Sequence, residues 1–169
     1  MFHKITNITP LEDYTLLARF SDGTDIIYDM KPLFPEYEAF RSFETVPGLF
    51  ALAKADVGGY GIVWNEDVDI DAEEIWQNGE EVKTPFSNLL AMSDATELWH
   101  LNESTLRKAI AYGKLKEGID VCKFGKQWVV SKDAMIREYG LPAVEYTAGI
   151  ESAPALYAAQ ENGALLRSE

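Results

Sequence analysis

The sequence predicts an acidic α+β domain followed by a mainly α helix-turn-helix domain, and three observations carry that division. Strand-like apolar runs broken by Asp-Gly and Gly-Gly pairs occupy the first 79 residues, and from Ala91 onward the apolar positions recur with a helical period. The charge divides along the same line. Residues 1–91 carry 6 Lys and Arg against 17 Asp and Glu, residues 92–142 carry 8 against 7, and residues 143–169 carry 1 against 4. A net charge of −13 opposes phosphate binding by the chain as a whole, yet the acid sits in the flanks and leaves the middle at +1.

In the first half, Leu16 to Phe20 and Asp25 to Tyr28 flank Ser21-Asp22-Gly23-Thr24, where Asp-Gly supplies the positive φ that a tight hairpin requires. This turn is expected to belong to the N-terminal sheet alone. Ala53 to Val57 and Tyr60 to Trp64 form a second pair around Gly58-Gly59, which reads as a two-residue turn. Pro32 and Pro35 precede a helix expected over Glu36 to Phe43, and another is expected over Ala72 to Gln77, ending at Gly79. The first domain is therefore an antiparallel sheet with short helices on one face, spanning 1–79. Residues 80–88, with Pro85 and little periodicity, read as a linker.

Over 89–142 the pattern is helical. Ser93 is placed as the cap of a helix running to about His100, with Ala95, Leu98 and Trp99 on its apolar side. Asn102 caps a second helix from Glu103 to Tyr112 that stops at Gly113. Leu106, Ala109 and Ile110 gather on one side of it, and Ser104, Arg107, Lys108 and Ala111 on the other. Two capped helices joined by so short a turn are the pattern of a helix-turn-helix, and the second has the slim cationic face that a major groove accepts. A hairpin follows, Asp120 to Lys123 and Gln127 to Val130, with Lys123 and Lys126 toward its tip. Ser131 then opens a third helix that ends at Gly140 before Pro142. The Ala-rich tail over 143–169 is expected to be a frayed helix or a mobile end.

Ala95-x-Glu97-Leu98-Trp99-x-Leu101, Ser104 to Ile110, Gly113-Lys114-Leu115 and Gly125 to Val130 together resemble the excisionase and mercury-regulator class of winged helix-turn-helix domains. That resemblance implies a recognition helix in the major groove and a wing on the backbone. Carried over, the DNA-binding candidates are Ser104, Thr105, Arg107 and Lys108 on the helix and Lys126 on the wing. The chain departs from the class by inserting Lys116 to Val121, with Glu117 and Asp120, so an all-helical arrangement like that of λ repressor is the structural alternative. In the first half, Tyr14-x-Leu16, Phe20-Ser21-Asp22-Gly23, Tyr28-Asp29, Leu49-Phe50, Trp64-Asn65 and Val68-Asp69-Ile70 are similar to a small bacterial domain of unknown function. Members of that family are often encoded beside toxin-antitoxin partners or fused to a helix-turn-helix, which implies a role in protein interaction or sensing.

Other chemistry finds little support. Asp67, Asp69 and Asp71 match the first ligand spacings of a calcium loop, but Ala72 stands where glycine must turn and Asn78 where a bidentate glutamate is needed. Only His3 and His100 are available as histidine bases, Cys122 is the lone cysteine, and no glycine-rich phosphate loop is present. Trp64, Trp76, Trp99 and Trp128 each lie within apolar patterns and read as core. No apolar stretch reaches the length of a membrane span, and the N-terminus lacks a signal-peptide pattern. The expectation is a cytoplasmic, non-enzymatic protein without metal or cofactor. It takes duplex DNA as its partner and leaves room for a protein partner on the acidic half and for a homodimer. An antitoxin-like adaptor whose helix-turn-helix does not bind DNA is the alternative.

Overall fold

The computed structural model describes residues 2–142, and the expected Ala-rich tail over 143–169 lies outside the described residues. The chain begins as an antiparallel meander of β1 (Ile5–Pro10), β2 (Thr15–Phe20) and β3 (Asp25–Asp29). The expected hairpin closes through its Asp-Gly pair. Gly23 adopts φ +84°, and the Asp22 carboxylate accepts the Thr24 N–H and hydroxyl at 2.9 Å each.

Helix α1 (Glu38–Thr45) starts two residues later than Pro35-Glu36 suggested and turns Phe40 and Phe43 inward. A small second sheet follows, built from β4 (Lys54–Ala55), β5 (Gly61–Val63) and β6 (Asp69–Asp71). Gly58-Gly59 is not the two-residue turn expected. The strands are joined across residues 56–60, and the Asp56 carboxylate accepts the Tyr60 N–H at 2.9 Å. Gly59 has φ +77°, and a Cβ there would stand 2.6 Å from the Ile5 carbonyl oxygen, so this glycine lets the second sheet approach β1.

Helix α2 (Ala72–Asn78) is capped by Asp71, whose carboxylate accepts the Glu73 N–H at 2.7 Å. After Gly79 the chain enters β7 (Glu80–Val82), which pairs with β3 and extends the first sheet to the order β1-β2-β3-β7. The stretch read as a linker over 80–88 thus opens with a strand. Its polar composition hides this, because the pairing comes from the free edge of β3 and not from an apolar alternation. The first core lies between the sheet and α1 and α2, with Leu16, Met30, Ile62 and Ile75 fully enclosed and Trp64 donating to the Phe50 carbonyl at 3.0 Å.

The C-terminal part runs β8 (Leu89–Ala91), α3 (Met92–Leu98), α4 (Glu103–Ala111), β9 (Val121–Phe124), β10 (Gln127–Ser131) and α5 (Lys132–Tyr139). Its strands form a sheet of order β8-β10-β9, so the all-helical alternative does not describe it. The helix expected from a Ser93 cap begins earlier. Ala91 is its N-cap without a side-chain bond, because Met92 is drawn into the core and carries the first turn with it. Ser131 does cap α5, accepting the Ala134 N–H at 3.3 Å, and Gly140 ends it with φ +77°. A second core gathers Leu90, Leu98, Trp99, Leu106, Leu115, Val130 and Met135. Trp64 and Trp99 are buried, whereas Trp76 and Trp128 are half-buried against the edges of their cores.

The two parts meet at defined contacts. The Gly23 carbonyl accepts the Asn88 N–H at 3.0 Å, and the Asn88 carbonyl accepts the Lys132 N–H at 2.8 Å. Lys132 Nζ reaches Asp22 at 3.1 Å, and Lys4 Nζ reaches Glu97 on α3 at 2.8 Å.

Candidate nucleic-acid interface

Four residues separate α3 from α4, and His100 takes φ +50° at the reversal. Asn102 is the N-cap of α4 as expected, but it acts through its backbone. Its carbonyl accepts the Thr105 N–H at 2.9 Å, and its side chain makes no cap bond. Leu106 and Ala109 are buried, and Ile110 is half-buried, which fixes the rotation of the helix against α3. Ser104, Arg107, Lys108 and Ala111 are left exposed on one face, while Thr105 stands half-buried at its flank.

The two cations on that face differ. Arg107 Nε and Nη2 both donate to Glu103 Oε1, one turn back, at 2.9 and 2.5 Å. Lys108 has no ion pair among the described residues. An exposed pair of this type contributes only about 0.2–1 kcal/mol, so Arg107 is parked on Glu103 and easily released.

Lys126 occupies the tip of the β9–β10 hairpin, beside Gly125 with φ +63°, and is exposed. It lies on a different element from the four helical candidates. Within the hairpin, Lys123 faces Trp128 across the strands with its Nζ 4.8 Å from the ring centroid.

The insertion between α4 and β9 is held in place. Leu115 is buried, and Asp120 is 5% exposed, accepting Arg137 Nη1 and Nη2 at 3.1 and 2.8 Å and the Lys116 N–H at 2.9 Å. The Arg137 hydrogen bonds, followed by that of Lys116, hold the Asp120 carboxyl below its ordinary range against the opposing effect of burial. One of the two inserted acids is therefore consumed internally, and only Glu117 is exposed.

Sequence reasoning missed Lys114 and Lys116 on this loop, although the alternation Lys114-Leu115-Lys116 around one buried leucine was a signal for them. Lys114 Nζ sits 4.4 Å from the Tyr139 ring centroid. Of the eight basic residues in 92–142, Arg107, Lys132 and Arg137 have acidic partners; Lys108, Lys114, Lys116, Lys123 and Lys126 have none among the described residues. The local charge of +1 understates the available cations.

The demoted residues have structural employment. Asp71 caps α2, Asn65 accepts the Asp67 N–H at 2.9 Å, and His3 stacks on Trp76 at 3.7 Å while bonding Glu73. Cys122 is an exposed residue of β9. No group of three or more metal-ligating side chains occurs among the described residues, and no described helix is long and apolar enough to cross a membrane.

Comparison with known families finds two matches, which meet at residue 81. Residues 5–81 match a family described as a protein of unknown function, DUF2442, and residues 81–143 match one described as a helix-turn-helix domain. No curated protein and no solved structure matches the chain significantly. The C-terminal part thus matches a helix-turn-helix domain, which suggests DNA binding, and it is joined to an N-terminal part of mixed α and β structure.

Proposed function

We propose that this chain is a cytoplasmic DNA-binding regulator that reads duplex DNA with α4 and steadies the duplex with the β9–β10 hairpin acting as a wing. The carrying observation is the exposed face of α4, where Ser104, Arg107, Lys108 and Ala111 stand opposite buried Leu106 and Ala109. Short residues allow the backbone close to the groove, and the two long cations reach base edges or phosphates. Thr105 at the flank can donate its hydroxyl to a phosphate, and Lys126 lies where a wing meets the backbone. The sheet order β8-β10-β9 supports the winged reading, and so does the two-residue hairpin tip.

Selection of genomic fragments by the purified protein at two salt concentrations tests this. A recovered motif, bound less tightly as salt rises, is the expected result. Recovery of no sequence above background at either concentration overturns it.

A second reading, an antitoxin-like or adaptor protein whose helix-turn-helix does not bind DNA, draws on the net charge of −13 and on the Arg107–Glu103 pair. The same selection separates the two.

A further inference from the structure

The segment that joins α4 to β9 is fixed more firmly than an exposed connection requires. Gly113, with φ +76°, turns the chain out of α4, and the Leu115 N–H donates back to the Ala109 carbonyl at 3.1 Å. Leu115 is fully buried, so the residues that flank it, Lys114 and Lys116, are left outside the core. The Lys116 carbonyl accepts the N–H groups of Ile119, Asp120 and Val121 at 3.2, 2.7 and 3.2 Å, and its own N–H donates to the Asp120 carboxylate. The backbone that carries both lysines is thereby tied to α4 at one end and to the root of β9 at the other.

Their charges are not spent. Asp120 is taken up by both Arg137 Nη atoms, and neither lysine has an ion pair among the described residues. Lys114 lies over the Tyr139 ring, which leaves it a cation. Glu117 is the one acid of the loop left exposed, so two available cations stand against it.

The loop also joins two surfaces of the helix-turn-helix part. Tyr112, 85% exposed, follows Lys108 by four residues and carries the outer face of α4 onto the loop. At its other end the loop meets β9, four residues long, which leads to the tip that holds Lys126. At about 3.3 Å per residue, root and tip stand roughly 13–17 Å apart, whereas phosphates of one strand recur about every 3.4 Å along a duplex axis. Cations set so far apart do not converge on one small anion. They fit a polyanion, and their continuity with the face of α4 makes that polyanion the duplex.

We propose that the loop over 113–120 is a second grip on the DNA backbone, in which Lys116, with Lys114 beside it, contacts phosphates near the C-terminal end of α4 while Lys126 contacts others at the hairpin tip. This rests on the DNA-binding reading and adds to it an element that supplies affinity without reading sequence.

The test is fluorescence anisotropy of the full chain on one duplex recovered from the genomic selection and on one random duplex, between about 50 and 200 mM salt. Lys116→Gln is expected to flatten the salt dependence by about 0.9 of a unit of slope on both duplexes, and Lys114→Gln together with Lys116→Gln by about twice that. Lys116→Arg, which keeps the charge, should return the parent slope. Far-UV circular dichroism confirms that each variant is folded, and Lys116→Gln alone decides the matter if the double variant is not. A parent that binds with a slope unchanged by Lys116→Gln overturns the inference and leaves the DNA-binding reading standing. A loss confined to the selected duplex overturns it too, because it marks a base contact. A parent that binds no duplex overturns both.

Discussion

Lys132, the first residue of α5, places its Nζ 3.1 Å from the Asp22 carboxylate in the β2–β3 turn, and its backbone N–H donates to Asn88, which in turn donates to Gly23. The tight turn of the first sheet is thereby a docking point for the helix-turn-helix part. Both partners are largely shielded from solvent, so the pair is screened less than a surface ion pair. Lys132→Met is expected to destabilise the full chain by about 1 kcal/mol, measured by urea denaturation followed through tryptophan fluorescence.

Gly23→Val is expected to damage more than the hairpin. A Cβ at this position stands 3.1 Å from Asn88 Cα and 3.2 Å from Leu90 Cδ2, and φ +84° strains any β-branched residue. The strain and the crowding together should cost about 2–5 kcal/mol. The sequence suggested that the C-terminal half would be indifferent to this change. Contact with β8 instead means that DNA binding at 37 °C should weaken along with thermal stability, and undiminished binding by the variant would show that β8 tolerates the displacement.

On α4, Arg107→Ala is expected to cost about 1–3 kcal/mol on the selected site and less on random DNA, the difference marking a base contact. Lys126→Ala should weaken all sequences alike and flatten the salt dependence by about one unit of slope, as a lost phosphate contact does. Lys83, paired with Glu81 at 2.7 Å and outside α3, α4 and the β9–β10 hairpin, is the control whose loss should leave both quantities unchanged. Fluorescence anisotropy with one specific and one random duplex reads all three.

Glu103→Gln should act in the opposite direction. Removing the acid that holds Arg107 frees the guanidinium and takes a repelling charge from the groove face, so affinity should rise about two- to fivefold at low salt. Unchanged affinity would mean that the pair does not restrain Arg107, and lower affinity would place Glu103 among the contacts to the bases.

Acid stability follows from Asp25. Burial pushes its carboxyl up, but the hydrogen bonds from Arg19, Ser87 and Thr84 and the charge of Arg19 outweigh that and hold it below the ordinary carboxylate range. A depressed folded pKa contributes stability that is complete above the unfolded value of about 3.9 and is lost as pH falls through the folded value. Asp25→Asn should therefore be less stable than the parent near neutrality by about 2–4 kcal/mol and should approach it as pH falls below the ordinary carboxylate range. Urea midpoints measured between these limits check the convergence.

The sequence by itself determined the local elements and the outward residues of α4. Asp22-Gly23, Gly113, Gly125, Ser131 and Gly140 act through dihedral preference and short-range hydrogen bonds, and the spacing of Leu106, Ala109 and Ile110 turns Ser104, Arg107 and Lys108 outward whatever the rest of the chain does. Only the tertiary structure decided what those elements touch. Glu80–Val82 became a strand because β3 offered an edge, Asp25 found Thr84 and Ser87 at separations of 59 and 62 residues, and Asp22 found Lys132 at 110. Asp120, read as one of two acids in an insertion and as the start of a hairpin strand, proved to be the anchor of that loop on Arg137. The physical reason is range: turn chemistry and periodicity are written in neighbours, whereas the partners of a buried charge and the cover of a sheet face depend on which distant surfaces the fold brings together.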